Sequence, residues 1–420
     1  MQNLLLFLFG LILLSPVSGE LWRLSVFWFA LLPSDLLIPI FFVVWVIYKL
    51  KHDRVIRFGK IGKTILLFLF VMFIGYFINV FRFDGREMIM AASYFARFVL
   101  YIVMAFITFD LLKNDRKKYF LMVAVGAMMF SFFFISVLGF LQLHYFPSFL
   151  DLGMDAQGWD PHIGRLLSTW FDPNFVGGYL AFMLSVVLAL GLYFYDCKKQ
   201  LYSFLFVVLT LIGMVALYYT FSRSGYLAFA FSVLGLTFFK SRKLLIVFIL
   251  VGLLGIGFSP RVQERVGNAV DSAKALIGVD SQRALDPTAR LRVDSWNNAF
   301  EIIHDHPWIG VGYSRYSHEI IARGHGLASD HNVGGSDSSL LTLWATTGIF
   351  GLLTYLLIGF VAMMVAVRRI SQKKDFKSYL NVGLLAAFFG IMIHSVFVNS
   401  LLYPLLMVYL WTGLGMMDEG

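Results

Sequence analysis

Residues 324–339 read GHGLASDHNVGGSDSS, and the chain then runs without a single charge through LLTLWATTGIFGLLTYLLI at 340–358. The first stretch is a flexible polar segment suited to water. The second approaches the roughly 20 apolar residues that a helix needs to cross a bilayer. That junction is a membrane boundary, and the whole chain repeats its contrast. Of 420 residues, 59% are hydrophobic and only 14% charged, against about 25% charged in a soluble domain. So few polar groups could not cover a water-soluble fold, which excludes a cytosolic enzyme, a secreted disulfide scaffold and a disordered chain. The lone Cys197 can form no internal disulfide, and it stands beside Lys198 and Lys199 in a short basic loop. The expected class is an all-α polytopic membrane protein.

Twelve candidate spans can be read, at roughly 3–18, 34–50, 62–80, 90–112, 119–142, 174–195, 201–220, 225–239, 243–259, 338–367, 378–399 and 401–417. The first has no Lys or Arg ahead of its apolar run and reads as a membrane helix rather than a signal peptide. This divides the chain into residues 1–259 with nine spans, a long loop at 260–337, and residues 338–420 with three more. Alternate loops hold six, four, two, three and five Lys or Arg, 20 in all, at 49–63, 113–118, 198–199, 240–243 and 368–377. That side is expected to face the cytoplasm. The net charge of +9 is therefore a topology signal rather than a nucleic-acid patch.

The opposite side is short of lysine. Fourteen of the 15 lysines fall on the cytoplasmic side and only Lys274 outside, where the other basic residues are all arginine. Topology does not demand that choice, whereas a phosphate or diphosphate favours it, because a guanidinium donates two parallel hydrogen bonds to one anion. Interfacial snorkelling accounts equally for Arg23, Arg82 and Arg86. Arg97 lies inside the fourth span and should face a polar cavity or pair within the bundle.

Three external arginines stand out. In FSRSGYLAF at 221–229, Ser222 is a plausible N-cap, which puts Arg223 at a helix N-terminus where an anion is favoured; snorkelling is the plainer reading. In the long loop, Thr288 after Pro287 could cap a helix running to about His304. Arg292, Trp296, Ala299 and Ile303 then share one face, so Arg292 heads a packed stripe, while Arg290 is expected in solvent. Arg165 opens RLLSTWFDPNFVGGYLAF at 165–182, where Asp172 or Asn174 could cap a helix with Pro173 in its first turn. Arg165 is either a third anion contact or the partner of Asp160 or Asp172. Gly177 and Gly178 would admit a close backbone neighbour.

Seven of nine histidines are external, but the HExxH spacing is absent and no cysteine supports them, so no metal and no other cofactor is expected. Asp330, His331 and Asp337 are candidate general bases in the loop entering the tenth span. Asp337 is nearest the bilayer and should be the most desolvated, although it could serve equally as a helix N-cap.

FSRSG at 221–225, RVDSW at 292–296 followed by HPWIGVGYSRY at 306–316, and LLTLWATTGIFG at 340–351 together resemble the O-antigen polymerase and O-antigen ligase superfamily of bacterial polysaccharide assembly. RLLSTWFDPN at 165–174 matches the family's preceding external loop, so the resemblance covers about 165 to 367. It implies a GT-C-like, metal-independent, inverting glycosyltransferase acting at the periplasmic face of the inner membrane. Its partners would be an undecaprenyl-diphosphate-linked oligosaccharide, membrane lipid and a chain-length regulator protein, with no nucleic acid. Arg223 and Arg292 match the arginines thought to hold the donor diphosphate. Family ligases carry a His-Asn pair about eleven residues before the glycine of the following span. Counting back eleven from Gly348 reaches Asp337, while His331 and Asn332 stand six residues further upstream. The base is Asp337 if the chain is a polymerase, which the register favours, or His331 if it is a ligase transferring to lipid A core. A transporter or flippase is a third reading, weakened by the missing internal repeat.

Overall fold

A computed structural model describes residues 1–26, 29–52, 55–82, 85–113, 116–154, 160–240, 287–326, 331–370 and 375–418, with scattered positions between 245 and 271. Its helices are α1 (Gln2–Leu14), α2 (Pro33–His52), α3 (Lys60–Val80), α4 (Gly85–Leu112), α5 (Lys117–Tyr145), α6 (Pro173–Asp196), α7 (Gln200–Thr220) and α8 (Arg223–Phe239). Beyond these come α9 (Pro287–Asp305), α10 (Tyr316–Ala322), α11 (Ser339–Arg369), α12 (Phe376–His394) and α13 (Pro404–Asp418). Among the described residues eight helices are long and apolar enough to cross a membrane, and α1 and α8 are shorter apolar helices. The protein is an all-α multi-pass membrane protein. The expected ninth span at 243–259 lies partly outside the described residues, and Lys274 lies outside them. One small departure is a hairpin between α1 and α2, in which β1 (Leu24–Val26) pairs antiparallel with β2 (Phe29–Leu31).

The helices are layered by burial. α6 packs against α7, α8 and α12, α13 against α4, and α11 against α3. α6, α12 and α13 are buried along most of their length, whereas α7 turns most of its surface outward, as a lipid-facing helix does. Since lipid supplies no hydrophobic drive between apolar helices, close approach has to come from small residues. A Cβ on Gly177 would stand 2.9 Å from the Ser222 Cβ, and one on Gly225 would stand 3.1 Å from the Gly177 backbone. α6 and α8 therefore touch nearly backbone to backbone just below their N-termini. At Gly178 the close neighbour is instead the His394 imidazole of α12, 2.8 Å from a notional Cβ.

Charges within the bundle are paired. Arg97 meets Asp35 at 2.7 Å, with Tyr101 donating to the same carboxylate oxygen at 2.8 Å, beside a cavity of about 270 Å³ between α2 and α4. At the lysine-rich end, Lys49 and Asp110 pair at 2.9 Å, both buried, and Trp45 donates to the second Asp110 oxygen.

α11 is broken at Gly348, whose φ of 69° and ψ of −176° leave the helical region. A break leaves backbone groups without their helical partners, and in a membrane nothing but protein can satisfy them. The segment HPWIGVG at 306–312 does so: Val311 N–H donates to Ala345 O (2.9 Å), Gly312 N–H to Thr346 O (3.0 Å), and Ile349 N–H to Pro307 O (2.9 Å). A Cβ on Gly348 would collide with the Trp308 carbonyl. This docking ties the C-terminal end of α9 to the membrane helices, and Ala299, Ile302 and Ile303 pack with Val311 and Ala345 in a satellite core. Gly348→Ala should therefore cost at least about 1–3 kcal/mol through backbone strain alone, read as a lower unfolding midpoint in detergent. An unchanged midpoint would mean that the junction relaxes around the new methyl group.

Candidate functional site

Four helix starts converge at the end of the bundle that carries the long loop. Asp172 caps α6, its carboxylate accepting from Asn174 N–H (2.6 Å) and Phe175 N–H (3.1 Å), with Pro173 in the first turn. Of the two expected candidates Asp172 is thus the cap, which leaves the Asn174 side chain available elsewhere. Its Oδ1 accepts from Arg165 Nη2 at 3.2 Å and from Ser222 Oγ at 3.1 Å. Ser222 is the N-cap of α8, as its position predicts, and accepts from Gly225 N–H at 3.2 Å. Asn174 therefore links the heads of α6 and α8 and holds Arg165 against both. Arg165 Nε also donates to Thr220 O at 2.9 Å.

Between these helix heads lies a cavity of about 350 Å³ whose walls carry Arg165, Arg223, Arg261 and Arg292. The three arginines singled out from sequence share one space, and the structure adds a fourth. Arg223 stands at the first position of α8. Arg292 projects from α9 at the head of the stripe in which Ala299 and Ile303 are buried, and Arg290 is exposed, both as expected. Thr288 does not cap α9, since the helix already includes Pro287; it lines the same cavity one turn before Arg292. Arg261 lies 4.1 Å above the Phe221 ring and donates to Ile163 O (2.7 Å) and Gly164 O (3.3 Å).

Arg261 escaped the sequence reading because it stood among the basic residues of the long loop. A signal was present all the same. Ser259 caps the turn that carries Arg261, accepting from Val262 N–H at 3.4 Å, just as Ser222 caps the helix that carries Arg223. His162, buried in the cavity wall, was also counted only as one external histidine. Burial holds its imidazole below the usual range despite the nearby Asp172 and Asp160 carboxylates, and the Arg165 charge acts in the same direction. It is therefore neutral around pH 7 and adds no further positive charge.

Asp337 sits just ahead of α11. The N-cap of that helix is Ser338, whose hydroxyl accepts from Leu341 N–H at 3.4 Å, so the capping role open to Asp337 in the sequence is taken by its neighbour. The Asp337 backbone N–H donates to Ser295 Oγ on α9 at 2.9 Å, one turn from Arg292. Burial pushes its carboxyl above the ordinary carboxylate range, with Asp172 adding to the rise and Arg292 opposing it. A half-buried carboxylate of raised basicity within electrostatic reach of an arginine-lined cavity is suited to taking a proton from a bound hydroxyl. His331 lies in a short 3-10 turn, His331–Gly334; its side chain and Asp330 fall outside the described residues. Among the described residues, no group of three or more His, Cys, Asp or Glu is placed to hold a metal ion.

The helix heads present positive dipole ends, and the guanidiniums add fork-shaped donors, so the cavity is built for a multiply charged oxyanion such as a phosphate ester. Fold and site together define a multi-pass membrane protein with an arginine-lined cavity at one end of its bundle. Residues 206–356 match the family model described as O-antigen ligase, a segment that runs from α7 into α11 and includes Arg223, Arg261, Arg292 and Asp337. Over that segment, 151 of its 420 residues, the chain is similar to the O-antigen ligase family. No curated protein matches the chain.

Asp172→Asn separates charge from structure at this site, because asparagine caps a helix as well as aspartate does. Removing that negative charge favours ionised Asp337, so its pKa falls. If Asp337 acts as the base, activity is lost as pH drops through that pKa, and the acidic limb of the pH–rate profile should move to lower pH in Asp172→Asn. An unmoved limb would exclude Asp337 as the group responsible.

Proposed function

We propose that the protein is a polysaccharide polymerase. It moves a glycan from an undecaprenyl-diphosphate donor to the free end of another lipid-linked repeat unit, at the periplasmic face of the bacterial inner membrane. The observation that carries this reading is the single cavity in which Arg165, Arg223 and Arg292 meet at converging helix starts, within electrostatic reach of Asp337. The undecaprenyl tail would lie along the apolar helices while the diphosphate enters the arginine cavity. Arg223 and Arg292 bind its oxygens, and Arg165, braced by Asn174, completes the grip.

The acceptor hydroxyl attacks the anomeric carbon as its proton passes to Asp337. The bond from that carbon to the diphosphate oxygen breaks, and the electron pair leaves with the lipid diphosphate. Attack opposite the leaving group inverts the anomeric centre. A diphosphate is already a good leaving group, and fixed guanidiniums stabilise its developing charge without reorganising, which is how such a transfer proceeds without a metal. The positive-inside count supports the orientation, and the placement of Asp337 supports a polymerase over a ligase.

A second reading is favoured by the description of the matched family as O-antigen ligase. In it the acceptor is lipid A core and His331 is the base. Purified protein incubated with synthetic undecaprenyl-diphosphate repeat units, in EDTA and with no other acceptor, distinguishes the two. The expected product is a ladder of lengthened lipid-linked glycans on gels and in mass spectra. The ladder should vanish in Asp337→Ala, Arg223→Ala and Arg292→Ala while each variant stays folded. Transfer only after lipid A core is added, with dependence on His331, would establish the ligase; wild-type turnover in both arginine variants would overturn the diphosphate reading.

A further inference from the structure

Arg261 is a fourth guanidinium in the cavity, beyond the three that grip the donor diphosphate. Resting on the glycosyl-transfer reading above, the geometry points to Arg261 as a catalytic residue that binds the departing lipid diphosphate and matches the charge appearing on it as the glycosidic bond breaks.

Four guanidiniums line the space together with the Asp160 carboxylate. The donor diphosphate is a diester with about two negative charges at neutral pH, whereas the released lipid diphosphate gains a terminal phosphate and approaches about three, since the second ionisation of a phosphate monoester lies near pH 6. The added charge arises only as the bond breaks. A cation placed to meet it stabilises the transition state more than the bound donor, which is the condition for raising turnover rather than affinity.

Arg261 is held in a way that suits this role. The Phe221 ring lies under its guanidinium at 4.1 Å, and the carbonyls of Ile163 and Gly164 fix two of its nitrogens. Gly164 has a φ of 60°, a conformation that favours glycine, and a Cβ there would stand 3.1 Å from Nη1. Phe221 itself has a φ of 47° and immediately precedes the Ser222 cap of the helix carrying Arg223. The brace under Arg261 is thus built from the same turn that positions a donor-binding arginine. Preorganised donors of this kind need no rearrangement as charge develops.

The test compares full-length wild type, Arg261→Ala and Arg261→Lys in the polymerisation assay, with melting in detergent as the check on folding. Loss of turnover by about 100-fold with little change in KM is expected for Arg261→Ala, with partial recovery in Arg261→Lys. Inhibition by added undecaprenyl diphosphate should weaken about tenfold or more in Arg261→Ala, the effect of losing one charged contact, while inhibition by undecaprenyl monophosphate changes little. Wild-type turnover, a loss confined to KM, or equal inactivity of both variants with a lowered melting point would overturn the assignment. The last outcome would make Arg261 a structural brace. These results remain distinct from failure of the underlying reading, which would show as wild-type transfer in Arg223→Ala and Arg292→Ala.

Discussion

The break in α11 at Gly348 is the constraint on which the site depends. A span interrupted inside the bundle leaves carbonyls that water cannot reach, and the cost of stranding them forces a specific piece of chain into the gap. Residues 306–312 fill it through three backbone hydrogen bonds. That segment directly follows α9, so satisfying the broken helix also fixes the C-terminal end of the helix that bears Arg292. The middle of α9 is tied by Ser295, which meets both Ser336 and the backbone of Asp337. One requirement of backbone chemistry thus positions Arg292 and Asp337 relative to each other.

Charge crowding is managed by the same economy of contacts. Asn174 carries no charge yet joins Arg165, Ser222 and the heads of two helices. The close approach of α6 and α8 at Gly177 and Gly225 brings those heads into one place; larger residues there would push them apart and open the cavity. Arg165 is held by a backbone carbonyl and a neutral amide, and Arg261 by an aromatic ring and two backbone carbonyls.

Much of this was legible one residue at a time. Capping rules identified Ser222 and placed Asp172 among two candidates, and the helical stripe from Arg292 to Ile303 anticipated which arginine would be anchored and which, Arg290, solvated. Arg97 was expected to pair within the bundle or to face a polar cavity, and it pairs with Asp35. The errors have local causes. Thr288 looked like a cap because helix starts are inferred from single polar residues, while the helix already includes Pro287. Asp337 and Ser338 both fit the cap of α11, and only the backbone path decided between them. Arg261 was missed because a loop arginine has no stripe or span to distinguish it, although its Ser-Pro-Arg context repeats the cap-then-arginine pattern of Ser222 and Arg223.

By itself the sequence determined the membrane class and the order of the apolar helices, because these follow from hydropathy summed along a contiguous chain. It also determined which external arginines were candidates, since capping and periodicity are local. Only the tertiary structure decided that Arg165, Arg223, Arg261 and Arg292 share one cavity, that Asn174 is a bridge rather than a cap, and that Asp337 stands beside α9. Those relations join residues up to 127 positions apart, from Arg165 to Arg292. They depend on which helices pack together and on how a broken helix satisfies its backbone, and no short-range pattern encodes either.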